Sequence, residues 1–205
     1  MDTKKNSKKI RQMDTNIVNI FTSHYLGGDD IGWGSKLSFH KTYVEWLKHF
    51  LLGNSIKKVV DIGCGDWKFS KIMYPMLHNI EYVGIDCVSP VIEANKIAYP
   101  GYTFIHDEVT TNVDNIPNSD IYIIKDVLQH WCEKRIFRFL NRLIKSKHFR
   151  YIIICNCKSQ HRVDIKDGEW RPLSLHHYPL SYFNPISVLQ YHSKEVCIIQ
   201  NPGKA

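Results

Sequence analysis

Apolar and polar positions along this chain fall into two alternating rhythms. Runs rich in β-branched and aliphatic residues at about 57–61, 80–85, 102–105, 120–124 and 150–156 read as strands. Between them, stretches near 67–77, 88–98 and 133–147 carry apolar residues at helical spacing. Upstream, Leu37, Tyr43, Val44, Leu47, Phe50 and Leu51 keep the same period across 36–52, and Gly53-Asn54 stops that helix. Ile17 to Phe21 reads as a short helix or an extended lead-in, and the glycines between Gly27 and Gly34 forbid regular structure there. Near the end, Ser187–Tyr191 and Glu195–Gln200 flank a His192-Ser193-Lys194 turn, which predicts a hairpin.

Strands alternating with helices imply a parallel sheet covered on both faces. Five parallel strands and a terminal hairpin make seven. The expected fold is therefore α/β: a doubly wound, Rossmann-like, seven-stranded sheet, mostly parallel with a C-terminal antiparallel hairpin. A chain of 205 residues suits one such domain, spanning 15–205 behind a flexible basic arm at 1–14.

The first strand ends in Asp61-Ile62-Gly63-Cys64-Gly65-Asp66-Trp67, an acid followed by a two-glycine turn. Glycines there let the backbone bend and let a ligand approach where a Cβ would collide. A dinucleotide fingerprint wants a third glycine where this chain has Lys68, and Asp66 stands where a pyrophosphate would lie. Acids at Asp61 and Asp66 repel phosphate and suit a cation. S-adenosylmethionine, a phosphate-free nucleoside bearing a sulfonium and an ammonium, fits this loop better than NAD or ATP.

These residues resemble the class I S-adenosylmethionine-dependent methyltransferases, whose first motif is an acid, one residue, then Gly-x-Gly. The likeness continues at Asp86-Cys87, ending the second strand, and at Asp107-Glu108, ending the third. The resemblance implies that Asp86 takes the donor's ribose hydroxyls and that Asp107 accepts from the adenine amino group. It places the donor site on Asp61, Gly63, Cys64, Gly65, Asp66, Trp67, Asp86, Cys87, Asp107, Glu108 and Lys125. A subfamily of small methyltransferases also shares Gly32-Trp33-Gly34-Ser35 and a Trp170-Arg171-Pro172-Leu173 segment, over about residues 24–185. In that light Gly34 and Ser35 close over the donor.

Chemistry is expected where the fourth strand runs into Lys125-Asp126-Val127-Leu128-Gln129-His130-Trp131. If the chain turns helical there, Asp126 and His130 share a face, and the carboxylate orients the imidazole as a general base. Lys125 is alternatively the partner of a nearby acid. Trp170 offers a flat wall to a sugar or nucleobase, with Trp131 nearby, and Arg171 a fork for hydroxyls or a carboxylate, held by Asp164. An Asn-Pro-Pro-aromatic turn for amino methylation is missing. A Lys-Asp-Lys-Glu set drawn from Lys36, Asp126, Lys158 and Glu195 rests only on common residue types.

Charge alters this picture little. The net +7 owes much to Lys4, Lys5, Lys8, Lys9 and Arg11, which read as a solvated arm, with phosphate tracking as the alternative. Charged residues at 23% and hydrophobic residues at 43% are ordinary for a globular domain. No apolar run approaches the roughly 18 residues of a membrane span, and nothing near Met1 reads as a secretory signal. Six cysteines without a Cys-x-x-Cys pair suit reduced thiols, hence a cytoplasmic protein, or one of the host cytoplasm if the lysine-, isoleucine- and asparagine-rich chain is viral. Cys155, Cys157, His161, His176 and His177 match no standard zinc spacing, so no metal is expected. The expectation is O-methylation of a small polar acceptor such as a carbohydrate. The alternatives are an RNA or cap methyltransferase and a methyltransferase-fold binding subunit that no longer turns over.

Overall fold

The computed structural model describes residues 14–26, 37–68 and 70–201, without the side chains of His24, Leu26 and residues 37–40. The basic arm before Asp14, Gly34 and Ser35 lie outside the described residues. Seven strands form one sheet: β1 (Lys58–Ile62), β2 (Glu81–Asp86), β3 (Thr103–His106), β4 (Ile121–Lys125), β5 (Tyr151–Cys157), β6 (Ile186–Tyr191) and β7 (Lys194–Gln200). Their order is β3-β2-β1-β4-β5-β7-β6. The first five are parallel, and β7 inserts antiparallel between β5 and β6. This is the expected fold.

The helices are α1 (Thr15–Leu26), α2 (Leu37–Gly53), α3 (Ser70–Met73), α4 (Ser89–Ala98) and α5 (Glu133–Ser146). Alternation within the strands sorts the core into two layers. Val60, Ile62, Tyr122, Ile124, Ile152 and Ile154 face α5 through Ile136, Phe139, Leu140 and Leu143. Val59, Ile121, Ile123, Ile153 and Cys155 face α2 through Tyr43, Leu47 and Leu51.

Three expectations about elements need correction. The helix expected at 67–77 shrinks to α3 and a single 3-10 turn, Tyr74–Met76. Trp67 stands at φ +58, outside helical space, and Pro75 interrupts the rest. The lead-in is longer than 17–21, because α1 runs to Leu26. The hairpin turn is shorter: Tyr191 pairs with Lys194, which leaves His192 and Ser193 as its two turn residues.

Candidate active site

The strand order reverses between β1 and β4, and in such sheets ligands bind at the carboxyl ends beside the reversal. The loops following these strands meet there. A Cβ on Gly63 would lie 2.2 Å from Val127 Cγ2, so only glycine permits the contact. Gly63 and Gly65 stand at φ +75 and +55. Gly63 and Cys64 both donate their amides to the Ile85 carbonyl, which folds the loop over β2. Asp86 then ties it down: Oδ2 accepts from the Gly65 amide at 3.0 Å, and Oδ1 accepts from the Val88 amide at 3.0 Å, just before α4. Asn95 of α4, unnoticed in the sequence, donates to the Gly65 carbonyl at 2.7 Å.

Acidic groups surround this loop. Asp61 is buried and accepts from the Tyr82 hydroxyl at 2.8 Å. Burial pushes its carboxyl up to about 6, against the Tyr82 hydrogen bond and the Lys125 charge. Burial also raises the Asp86 carboxyl and pushes the Cys87 thiol up to about 12. Asp66 pairs with Lys68 at 2.6 Å. Asp107 at the end of β3 accepts from Asn112 and Asn115, at 2.9 and 3.3 Å. Two further residues expected at the donor site are held by structural contacts of their own. The Glu108 carboxylate is consumed by the amides and hydroxyls of Thr110 and Thr111, and Trp67 is buried among Tyr74, Tyr82, Tyr99, Tyr102 and Phe104.

The expected Asp126–His130 dyad does not form as drawn. Asp126 stands at φ +60, and a 3-10 turn begins only at Leu128, so no α-helix puts the two on one face. The Asp126 carboxylate lies between two ammonium groups, Lys125 at 2.5 Å and Lys194 from β7. Burial opposes its ionisation, yet the two lysines outweigh burial and hold the carboxyl below its ordinary value. Lys194 is buried and also donates to Cys157 Sγ at 3.1 Å. Its role was invisible in the sequence, where it reads as a turn residue.

His130 has a different orienter. Its Nδ1 donates to the Glu169 carbonyl at 3.2 Å in the tautomer that puts the ring's lone pair on Nε2. Gly168 and Arg171 donate their amides to the His130 and Gln129 carbonyls, fastening the 162–175 segment along the turn. Trp170 is exposed. Trp131 is buried against Phe139 in the core, so it offers no substrate surface. The charge of Asp164 acts on Arg171, but no hydrogen bond joins the two. Asp164 accepts from the Glu133 amide at the start of α5, while buried Arg171 donates to the Gln129 carbonyl.

Side chains of the α1 segment reach this edge at several points. Asp14 pairs with Arg135, which also holds Asp167 and Thr110. Ile20 packs where a Cβ on Gly168 would lie, Phe21 meets the His130 ring edge-on at 5.8 Å, and Tyr25 reaches Gly65. Burial and the carboxylates of Asp86 and Asp66 raise the Tyr25 hydroxyl above its ordinary range. An open cavity of about 540 Å³ on the outer side, lined by Asn16, Asn19, Arg135 and Asp167, includes none of the glycine-loop residues. Among the described residues no cluster is suited to a metal, and no helix is long and apolar enough to cross a membrane.

Comparison with solved structures places this arrangement. The N-methyltransferase NodS of Bradyrhizobium japonicum, bound to S-adenosylhomocysteine, superposes with a TM-score of 0.66 at 13% identity, covering 90% of this chain and 98% of NodS. The fold is that of the class I methyltransferases. Magnesium protoporphyrin IX methyltransferase of Synechocystis, also bound to S-adenosylhomocysteine, matches with a TM-score of 0.59 at 13% identity over 90% of this chain and 97% of that one. The methyltransferase domain of bacterial CtHen1 matches with a TM-score of 0.63 at 12% identity over 79% and 99%. In sequence, the 235L protein of Invertebrate iridescent virus 6, which carries a methyltransferase name, is 27% identical over 139 residues. That match covers 64% of this chain and about half, 52%, of the viral protein. No family model matches the chain.

Proposed function

We propose that this chain is an S-adenosylmethionine-dependent methyltransferase that methylates an oxygen of a small polar acceptor such as a sugar. The observation that carries the reading is the glycine loop at the β1–β4 reversal, pinned by Asp86 and lined by acids. Asp61, Asp66 and Asp86 favour a cationic donor over a phosphate-bearing one. Gly63 and Gly65 let the loop take its tight left-handed turn, with Val127 and Tyr25 packed where side chains would stand. On this reading Asp86 holds the ribose, Asp107 the adenine amino group, and the Gly63–Gly65 main chain with Asp61 the amino-acid end. The donor supplies a methyl group already activated by its sulfonium.

The chain's own residues then align the acceptor and take its proton. His130, steered by the Glu169 carbonyl, receives the hydroxyl proton on Nε2. Asp126 is a positioning residue, because its charge is spent on Lys125 and Lys194. Trp170 offers the acceptor an aromatic face, and Tyr25 with α1 keeps water from the donor loop.

The test is formation of S-adenosylhomocysteine from S-adenosylmethionine with a panel of sugars, comparing the protein with its His130→Gln variant. The reading predicts turnover that the substitution removes while donor binding survives. Undiminished turnover in the variant would contradict the role of His130.

A further inference from the structure

The outer face of α5 carries a feature that the proposed reaction does not use. Lys134, Phe137, Arg138, Asn141 and Lys145 lie at helical spacing on one face, which contains no acid. Lys134, Arg138 and Lys145 are exposed, and none of them forms an ion pair among the described residues. Phe137 anchors an aromatic cluster: Tyr178 stacks on it at 5.9 Å, and Tyr182 and Phe183 meet it at 4.9 and 5.7 Å. Tyr182 is 61% exposed and Tyr178 37%. Arg162 lies over the Tyr178 ring at 5.3 Å and also grips Glu133 at the start of α5.

We propose that this face is a docking surface for single-stranded nucleic acid. The exposed ring of Tyr182 takes an unstacked base, the Tyr178 ring being covered by Phe137 and Arg162, and unpaired cations spaced one and two turns apart along the helix take the neighbouring phosphates. A duplex hides its base faces and would leave that ring unused. A polypeptide of acidic residues alone would satisfy the cations but brings no ring to stack on Tyr182. The surface leads toward the candidate active site, because Arg162, Glu133 and Asp164 join it to the segment that fastens His130. Resting on the methyltransferase reading for this step alone, the inference puts a ribose of such a strand in place of a free small sugar as the acceptor.

Fluorescence anisotropy of a short labelled oligouridylate, repeated with the matching oligothymidylate, tests the surface without requiring catalysis. Engagement of three phosphates predicts a slope of log affinity on log salt of about −2. Tyr182→Ala should weaken binding about 5- to 100-fold. Lys134→Glu with Arg138→Glu should weaken it and flatten the salt slope. All three side chains are mainly exposed, so the variants should stay folded with donor affinity unchanged, Tyr182→Ala losing only its edge contacts with Phe137 and Phe183, and tighter binding of the RNA strand supports the ribose assignment. Equal affinity for the DNA strand overturns that assignment alone. No binding at low salt, or binding indifferent to these substitutions, overturns the proposal. Displacement by polyglutamate with the same residue dependence also overturns it, in favour of an acidic protein partner. Failed donor binding with intact RNA binding would remove the methyltransferase reading and leave the surface standing.

Discussion

The Tyr25 hydroxyl lies 2.7 Å from the point where a Cβ on Gly65 would sit. A residue of the first helix thus closes on a loop forty positions away, and the absence of a side chain at Gly65 makes room for it. Gly65→Ala would push against that hydroxyl and force alanine to φ +55, which costs about 1–2 kcal/mol. Gly63→Ala should cost more, because its Cβ would overlap Val127 at 2.2 Å. Thermal unfolding of the two variants should rank them in that order, with donor affinity falling in both. Equal stability to the parent would mean that the loop relaxes freely.

Asp61 makes donor binding depend on pH. Its buried carboxyl titrates at about 6, against 3.8 ordinarily. A cation bound beside it favours the ionised form, so binding below that value releases a proton. Affinity should rise as pH increases from about 5 and level off above about 6. In the ligand-free protein the sign is opposite. The folded state holds this proton more tightly than the unfolded chain, so the Asp61 contribution to stability declines as pH rises from 3.8 to about 6. Calorimetry across pH should find both trends, and Asp61→Asn should remove both.

His130 and Asp126 should fail differently. Loss of a positioned base costs about 10²- to 10⁴-fold in kcat, so His130→Gln should reduce kcat with little change in melting temperature. Asp126→Asn instead leaves two lysines without their shared carboxylate and should destabilise the fold by about 3 kcal/mol. Chemical denaturation and steady-state kinetics on both variants separate the roles. A stable Asp126→Asn protein with a base-like kinetic defect would restore the dyad.

Trp170 is 56% exposed, so Trp170→Ala should shift stability by less than about 0.5 kcal/mol. If Trp170 walls the acceptor site, acceptor KM rises while donor affinity holds. An unchanged KM would remove it from the site.

The sheet was readable because β-branched runs mark each strand, and the acids at Asp61, Asp86 and Asp107 sit at strand ends on any register. What the sequence hides are interactions across long separations. Lys194 meets Asp126 from 68 positions away and, with φ +60 at Asp126, undoes the helical pairing that local spacing suggests. Tyr25 and Asn95 reach the glycine loop from other helices, without a local pattern to announce them. The tryptophans mislead for a related reason. Trp67 and Trp131 sit beside functional positions in the chain, yet their side chains turn into the core, whereas Trp170 turns out.

The central claim is the donor site, and calorimetric titration with S-adenosylmethionine and S-adenosylhomocysteine tests it most directly. The account predicts saturable binding of both, abolished by Asp86→Ala in a protein that remains folded. A folded protein that binds neither, or an Asp86→Ala variant that binds both undiminished, would contradict it.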